Sequence, residues 1–283
     1  MAKQCVGIHW NSTKRSGLPV ARRLIDMLEA RGVEVCVNSE LFGYLADDAL
    51  HVNAFERCEL LIVLGGDGTI LTALDSAIPY DIPILGINMG RLGFLTELET
   101  QDITEELIDR ALNHDYAIEA RTIMTIEGQD DTRMFALNDI VITRSTPSVR
   151  IISLEYEADG DLVDCISGDG LIVATSTGST AYSLSSGGPV VLPGLDCFVL
   201  TPVCPHTLNA RPVVVSANRR ITIRVLDDRG GAQAVLDGRR ILPLNNESRE
   251  VTICRSKRSA RFVRLRERNN VSLLRSKLSE WTH

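Results

Sequence analysis

The sequence lacks the phosphate-binding and catalytic signatures of several common enzyme classes. It contains no Walker A loop, no Gly-x-Gly-x-x-Gly dinucleotide fingerprint and no Gly-x-Ser-x-Gly nucleophile elbow. These absences count against a P-loop NTPase, an ordinary Rossmann dehydrogenase and an α/β-hydrolase. The chemistry of this chain is therefore to be sought in other motifs.

Long apolar runs, paired cysteines and an excess of basic residues are missing as well. No run reaches the ~18 apolar residues that span a bilayer, and residues 1–5 lead directly into a short apolar strand, so we expect neither a membrane span nor a secretory signal. The seven cysteines are scattered without a Cys-x-x-Cys pair, which is typical of reduced thiols in a cytoplasmic protein and not of a disulfide framework or a zinc site. A net charge of −7 argues against nucleic acid as a partner.

Residues 1–121 alternate between short apolar strands and segments with helical spacing. Helices are predicted over residues 19–30, 69–78 and 104–112, the second of them stopped by Pro79. This alternation predicts an α/β domain with a parallel, Rossmann-like sheet. Such sheets bind ligands at the carboxyl ends of their strands.

Residues 122–268 consist mainly of short β-rich runs separated by turns such as Asp159-Gly160 and Asp237-Gly238, a pattern that predicts an all-β, sandwich-like domain. Residues 269–283 carry apolar side chains at helical spacing, and we expect this tail to dock as a helix on the N-terminal domain. The basic residues between 255 and 268 are interpreted as a solvated strand face.

The most informative segment is a buried strand, residues 60–64, that leads directly into Gly65-Gly66-Asp67-Gly68 and then into a helix. Glycines let a backbone approach a ligand closely, and a helix start offers N–H groups and a positive dipole to a phosphate. A carboxylate is a poor phosphate ligand, so Asp67 is better interpreted as a base for an accepting hydroxyl or as a partner of a phosphate-bound metal. Taken alone, the turn is also compatible with a simple strand-to-helix connection in which Asp67 is a cap.

Two further polar segments interrupt apolar surroundings. Residues 167–189 contain a Gly-Asp-Gly turn, a strand, and a hydroxyl-rich glycine loop around Tyr182, which suits a polar ligand with a flat ring. A solvent-exposed Ser/Thr loop is the alternative. Asn138 and Asp139 lie within an apolar strand pattern, where buried polar groups need a partner such as backbone or a ribose.

Together these motifs resemble those of NAD kinases, in particular the bacterial type. The matching segments, in the order and spacing of that family, are GGDGT at 65–69, NMGRLGFL at 88–95, Asn138-Asp139, Asp169-Gly170, TGSTAYS at 177–183 and PHTL at 205–208. The resemblance runs from the first strand to about Leu265. The loop over residues 169–189 is its specific part, because the GGDG turn is shared with phosphofructokinases and diacylglycerol kinases. The implied fold is the NAD kinase and phosphofructokinase-like fold.

The resemblance implies an enzyme that transfers the γ-phosphoryl group of ATP to the 2′-hydroxyl of the adenosine ribose of NAD, giving NADP, with Asp67 as general base. Mg²⁺ or another divalent cation would arrive with ATP, without a metal site in the protein. The residues implied to bind NAD are Asp67, Gly68, Asn138, Asp139, Arg150, Ser167, Asp169, Thr180, Ala181, Tyr182, Ser183, Leu184, Ser185 and Arg239, and those implied to bind the phosphates of ATP are Gly65, Gly66, Gly68 and Thr69. Relatives form homodimers and homotetramers in which one subunit reaches a neighbour's site.

Two positions depart from the usual family pattern. Arg239 follows the Asp237-Gly238 turn where relatives usually carry an amide, and Ser167 stands where many have a basic residue. Both affect fine contacts to NAD and not the reaction. Two other functions remain open, a lipid or sugar kinase with the same turn and a non-catalytic NAD(P) sensor. The absence of an amphipathic membrane-binding helix disfavours a lipid kinase, and the retained Asp67 disfavours a sensor.

Overall fold

The computed structural model describes residues 3–280 apart from 14, 46, 48–49, 91–92, 146–150, 228–230, 245–248 and 268. The chain divides into two compact units. The first contains Met1–Ala120 and Ala260–His283, and the second contains Arg121–Ser259. The long final strand is thereby shared, since its last residues belong to the first unit, whereas the sequence assigned residues up to 268 to the β-rich domain.

The first unit alternates strands and helices as predicted. Its elements before residue 117 are β1 Cys5–Trp10, α1 Leu18–Glu29, β2 Glu34–Val37, α2 Ser39–Leu45, β3 His51–Val52, β4 Leu60–Leu64, α3 Asp67–Ala77, β5 Ile84–Asn88, β6 Leu98–Glu99 and α4 Glu105–Leu112. Its last helix, α6, covers Asn270–Glu280. The tail is therefore helical as expected, and Trp281 lies outside the described residues.

The strands of the first unit pair in the order β3-β2-β1-β4-β5, and all of these pairs are parallel. Chain order reverses between β1 and β4, which makes their carboxyl ends the topological switch point where open α/β sheets bind ligands. Buried side chains such as Ile8, Ile62 and Leu85 form the core with α1 and α4. The sheet thus places residues 65–68, just after β4, at the position where a ligand is expected.

Two local features of the first unit differ from the sequence predictions. Helix α3 begins at Asp67 and not at Thr69, so Asp67 is its first residue and Gly66 its N-cap. Helix α2 was not predicted. Three cysteines that are far apart in sequence are also brought together, because β1, β2 and β4 are neighbours. Cys5, Cys36 and Cys58 are buried, and the Sγ atoms of Cys5 and Cys58 lie 3.5 Å apart.

The second unit consists mainly of β-strands. With β7, which begins in the first unit, and β18, which ends there, its elements are β7 Ala117–Ile126, β8 Phe135–Ala136, β9 Asp139–Arg144, β10 Ile152–Ala158, β11 Asp161–Gly168, β12 Gly170–Thr175, α5 Tyr182–Ser185, β13 Cys197–Val203, β14 Val213–Ser216, β15 Ile221–Asp227, β16 Ala232–Leu236, β17 Arg240–Leu244 and β18 Glu250–Arg264. Strand β18 is one continuous strand of 15 residues. The C-terminal β-sheet domain is confirmed.

Two antiparallel groups of strands build the second unit. One has the order β14-β13-β12-β9-β16-β17, and the other runs β11-β10-β15-β18. Their buried side chains form one core, which includes Ile140 and Leu171 from the first group and Leu154 and Ile223 from the second. The Asp159-Gly160 and Asp237-Gly238 turns both have positive φ at their two residues, as tight hairpin turns require.

Five arginines of the basic stretch between residues 255 and 268 form ion pairs with carboxylates of their own unit. The pairs are Arg255–Asp196, Arg258–Asp131, Arg261–Asp81, Arg264–Glu97, Arg264–Glu119 and Arg266–Asp102. Ion pairs within the chain therefore account for these arginines, and no external anionic molecule is needed to explain them. Among the described residues, no helix combines the length and apolarity that a membrane crossing demands.

Candidate active site

The 65–68 turn leaves room for a ligand at the start of α3. The carbonyl oxygen of Gly66 accepts the N–H groups of Thr69 and Ile70, which closes the first helical turn. Apart from its chain neighbours and the backbone of its own helix, a Cβ at Gly68 would meet no atom of the described residues within 4 Å, so this side of the turn is open. The first N–H groups of a helix have no partner within it, and they carry the positive end of its dipole. The turn can therefore receive an anion.

The carboxylate of Asp67 is fixed in one orientation. Its Oδ2 accepts the N–H of Phe94 at 2.9 Å, and its Oδ1 accepts the N–H of Leu95 at 3.0 Å. Gly93 is required for this approach, because a Cβ there would overlap Asp67 Oδ1. A carboxylate has about four lone pairs, so Asp67 can accept both N–H groups and still accept a hydroxyl proton.

The segment that holds Asp67, residues 93–96, is itself supported from the core. The N–H of Gly93 donates to Thr96 Oγ1 at 2.9 Å, and Thr96 is almost fully buried. Arg264 Nη1 donates to the carbonyl oxygen of Leu95 at 3.3 Å. The side chain of Arg264 is only 6% exposed and is paired with Glu97 and Glu119, so its charge is compensated. These contacts hold residues 93–96 in place, and through them the Asp67 carboxylate.

The second unit contains a cavity of about 390 Å³. The residues that line it are Asn138, Asp139, Val141, Thr143, Ala181, Tyr182, Val235, Asp237 and Gly238. Asn138, Asp139, Ala181 and Tyr182 were predicted to bind NAD. The cavity combines apolar side chains with an amide, two carboxyl groups, a hydroxyl and a half-exposed phenol. This lining suits a ligand that has both sugar hydroxyls and an aromatic ring.

Asp237 organises one wall of this cavity. Its carboxylate accepts the N–H groups of Leu137 (2.8 Å), Asn138 (2.8 Å) and Asp139 (3.1 Å), and its own N–H donates to the carbonyl oxygen of Asp139. Burial, with the nearby charge of Asp237, raises the pKa of Asp139 to about 7. Burial raises the pKa of Asp237 as well, but the three N–H groups oppose this shift by favouring its charged form. No such donor among the described residues acts on the Asp139 carboxyl, so we assign the retained proton to Asp139. Asp139 can then donate as well as accept a hydrogen bond near neutral pH.

The hydroxyl-rich loop is tied to the same segment. The N–H of Thr175 donates to the carbonyl oxygen of Asn138 at 2.9 Å, and its hydroxyl donates to that of Leu137 at 2.6 Å. Gly178 is required here, because a Cβ would overlap the Asn138 carbonyl oxygen. The loop therefore packs on the Asn138 backbone, which brings Ala181 and Tyr182 to the cavity.

Other residues predicted to bind NAD lie around or away from the cavity. Asp169 forms a 2.9 Å ion pair with Arg144, and its carbonyl oxygen accepts the hydroxyl of Thr143 in the cavity wall. Ser183 is fully buried, with its hydroxyl 2.9 Å from Thr201 Oγ1.

The hydroxyl of Ser167 lies 2.9 Å from that of Ser153. Thr180 donates to the carbonyl oxygen of Thr177. Leu184 is half-buried, and Ser185 is exposed. Arg239 is half-buried in the β16–β17 turn, and this burial lowers its pKa. Arg150 lies outside the described residues.

Sequence reasoning missed Asp237 and Thr143 as site residues, and it gave the 93–96 backbone no role. The Asp-Gly turn at 237 was noticed only as a hairpin signal. Its side chain acts on residues 98 to 100 positions away, and no local pattern reports such a contact.

A glycine turn with one carboxylate at the start of a helix and a polar, aromatic cavity in a β-sheet unit are features that suit a nucleotide-dependent kinase. Two family descriptions match the chain: the ATP-NAD kinase N-terminal domain over residues 6–116 and the ATP-NAD kinase C-terminal domain over residues 137–265. The chain belongs to the NAD kinase family.

Its curated relatives match over nearly their full length. An NAD kinase from Symbiobacterium thermophilum is 40% identical over 276 residues, which cover 95% of this chain and 96% of the relative. An NAD kinase from Heliobacterium modesticaldum is 37% identical over 283 residues, covering 97% and 98%.

Solved structures are similar to the whole chain. An NAD kinase from Archaeoglobus fulgidus in complex with ATP has a TM-score of 0.74 at 29% identity and covers 98% of both chains. Yeast NADH kinase complexed with NADH has a TM-score of 0.82 at 23% identity, covering 98% of this chain and 88% of that one. The second likeness concerns the fold alone.

Proposed function

We propose that this chain transfers the γ-phosphoryl group of ATP to the 2′-hydroxyl of the adenosine ribose of NAD, giving NADP and ADP. ATP-dependent phosphorylation of NAD is the activity of its family. The observation that carries the mechanism is the oriented carboxylate of Asp67 beside an open helix N-terminus. This arrangement supplies one group for the accepting hydroxyl and one for the donor phosphates.

Asp67 acts as general base. The ribose oxygen forms a bond to the γ-phosphorus while the bond from that phosphorus to the bridging oxygen of ADP breaks. The hydroxyl proton passes to the carboxylate. In phosphoryl transfer the protein contributes mainly alignment and charge stabilisation. The two N–H groups of residues 94 and 95 support alignment, because they fix the direction of the lone pairs left for the hydroxyl.

The remaining binding roles follow the sequence assignment. Gly65, Gly66, Gly68 and Thr69 hold the phosphates of ATP at the start of α3. In the second unit, Asn138 and Asp139 hold a ribose of NAD, and Tyr182 packs on an aromatic ring. The lining of the 390 Å³ cavity supports this assignment. Thr143 and Asp237 are added to it, the first as a hydroxyl in the wall and the second as the group that positions Asn138.

A divalent cation such as Mg²⁺ enters with ATP. Asp67 carries the carboxylate of the 65–68 turn, and this carboxylate already accepts two N–H groups. It could therefore supply only some of the ligands that a cation needs. Phosphate oxygens are natural ligands of Mg²⁺ and supply the rest. When bound, the cation neutralises charge that develops on the phosphates.

We propose further that the enzyme is a cytoplasmic homodimer or homotetramer with the phosphofructokinase-like fold. Its domains follow the sequence division near residue 121, except that residues 260–268 belong with the tail to the first domain and not to the β-rich domain. Asp169, still 41% exposed at its side chain, contacts NAD in a site completed by a neighbouring subunit. Dilution that dissociates the oligomer should then reduce activity, and a fully active monomer would contradict the shared site.

One incubation tests the activity itself. Protein, ATP, Mg²⁺ and NAD are combined, and NADP is measured with an NADP-specific dehydrogenase. NADP should accumulate with time, and the Asp67→Asn variant should form it far more slowly. A lipid or sugar kinase, or an NAD(P) sensor, would form none.

A further inference from the structure

Asn88 is a buried polar residue beside the 65–68 turn, and its side-chain amide donor does not stabilise the fold through a hydrogen bond to any described residue. It is the last residue of β5, the strand next to β4, and is 4% exposed. Its Nδ2 has no hydrogen-bond partner among the described residues. Buried donors are nearly always satisfied, so one without a partner calls for an explanation. A group that a ligand contacts is one such explanation.

The amide lies next to the N-cap of α3. A Cβ placed on Gly66 would lie 3.8 Å from Asn88 Oδ1, so the Asn88 amide group lies beside the turn. Helix α3 has 11 residues, long enough for its first N–H groups and dipole to attract an anion. The Asp67 charge at this helix start is engaged by Phe94 and Leu95. The turn, the helix start and the amide group that carries this donor therefore lie close together.

Asn38 provides a comparison within the same unit. It follows β2 and is 8% exposed, hence buried to a similar degree. Its Nδ2 donates to the Trp10 carbonyl oxygen at 2.8 Å, and its Oδ1 accepts the Trp10 N–H at 3.2 Å. Both functional ends of Asn38 thus serve the fold, whereas the donor of Asn88 does not.

We propose that Asn88 Nδ2 donates a hydrogen bond to a phosphate oxygen of ATP at the start of α3. A neutral amide suits this position, because it stabilises an anion without competing for the proton that the acceptor hydroxyl loses. This proposal deepens the proposed function and rests on it for the identity of the nucleotide. The anion site itself depends only on the turn, the helix and the amide.

Thermal unfolding of the full chain with and without inorganic tripolyphosphate tests the site. Without ligand, Asn88→Ala should unfold close to the wild-type temperature, since it removes a donor that has no partner. Asn38→Ala should unfold at a lower temperature, because it removes the two hydrogen bonds between the Asn38 side chain and the Trp10 backbone. Tripolyphosphate should stabilise the wild type and Asn38→Ala, but Asn88→Ala and Asn88→Asp much less. The aspartate keeps the size and adds a repelling charge, so its loss should be the larger.

Steady-state kinetics then test whether ATP is the nucleotide whose phosphate Asn88 binds. Asn88→Ala should raise KM for ATP by roughly 10- to 100-fold, the range for a hydrogen bond to a charged group, with a much smaller change in KM for NAD. If Asn88→Ala unfolds as early as Asn38→Ala and keeps its response to tripolyphosphate, Asn88 is structural and the proposal is wrong. A wild type that does not respond to tripolyphosphate also overturns the site. If the response depends on Asn88 but no NADP is formed, the anion site stands and the proposed function fails.

Discussion

The Asp67 carboxylate accepts a hydrogen bond from the Leu95 N–H, with 3.0 Å between Oδ1 and the nitrogen. The carbonyl oxygen of Leu95 accepts the buried guanidinium of Arg264. One residue therefore joins the proposed base to a charged group in the core of the first unit. This connection explains how a side chain in an open glycine turn can hold a fixed direction, which proton transfer requires.

Replacing the proposed base tests its chemical role. Asp67→Asn keeps the size of the side chain but cannot take the hydroxyl proton. We expect kcat to fall by roughly 10²- to 10⁴-fold, the usual contribution of general acid–base catalysis, with a smaller change in KM. Binding of NAD, measured by calorimetry, should persist. A variant that keeps more than about a tenth of wild-type kcat, well outside that range, would remove Asp67 from the mechanism.

Displacing the carboxylate without changing it tests its position. In Gly93→Ala the new methyl group would overlap Asp67 Oδ1, so the carboxylate must move. Misplacement by about 1 Å can cost on the order of 100-fold in rate, and we expect a fall in kcat of at least tenfold. Gly90→Ala is the matched control, because Gly90 is exposed and a Cβ there meets no atom of the described residues within 4 Å.

The control variant should stay within about twofold of wild-type kcat, as expected for a surface substitution. Adding Gly93→Ala to Asp67→Asn should cause little further loss if the glycine acts through the carboxylate. A full additional loss in the double variant would show that Gly93 serves the enzyme in another way.

Tyr182 tests the NAD cavity. It lies in the cavity wall and is 47% exposed, so its ring can pack on a ligand. Stacking of a base on an aromatic ring is worth about 1–3 kcal/mol, and Tyr182→Ala should raise KM for NAD by roughly tenfold with little change in KM for ATP. Tyr80→Ala removes a similarly exposed tyrosine from the first unit and should change neither. Equal effects on both substrates would place Tyr182 elsewhere.

Local features were predictable from the sequence because their signals lie within a few residues. The 65–68 turn combines an apolar strand, glycines and a helical pattern, and the structure has it at the carboxyl end of β4. The start of α3 was placed two residues late. Glycine and aspartate are weak helix formers inside a helix, but an aspartate in the first turn interacts favourably with the helix dipole.

Long-range relationships were not predictable, because they depend on strand order and not on neighbouring residues. Asp237 reaches the Asn138 backbone only because β16 pairs with β9. In the same way, Cys5 and Cys58 meet because β1 pairs with β4, although their spacing showed no pairing motif. The sequence contained these residues, but only the sheets make them neighbours.

The carboxyl pair in the cavity wall predicts a dependence of stability on pH. Burial and the charge of Asp237 raise the pKa of Asp139 from its ordinary value near 3.8 to about 7. Between these two values the folded protein holds a proton that the unfolded chain releases. Stability must therefore fall as the pH rises from about 4 to about 7, and it levels off above that.

Asp139→Asn removes this titration while keeping the size of the side chain. At pH 4, where Asp139 is protonated in the folded protein and still partly protonated in the unfolded chain, the variant and the wild type should be about equally stable. At pH 8 the variant should be more stable by about 1 to 4 kcal/mol, since one pKa unit corresponds to about 1.4 kcal/mol. Asp161→Asn, which removes a carboxylate that is 86% exposed, controls for the change in net charge. Thermal unfolding of the three proteins from pH 4 to 8 measures the effect, and parallel curves for wild type and Asp139→Asn would show that Asp139 does not hold the proton.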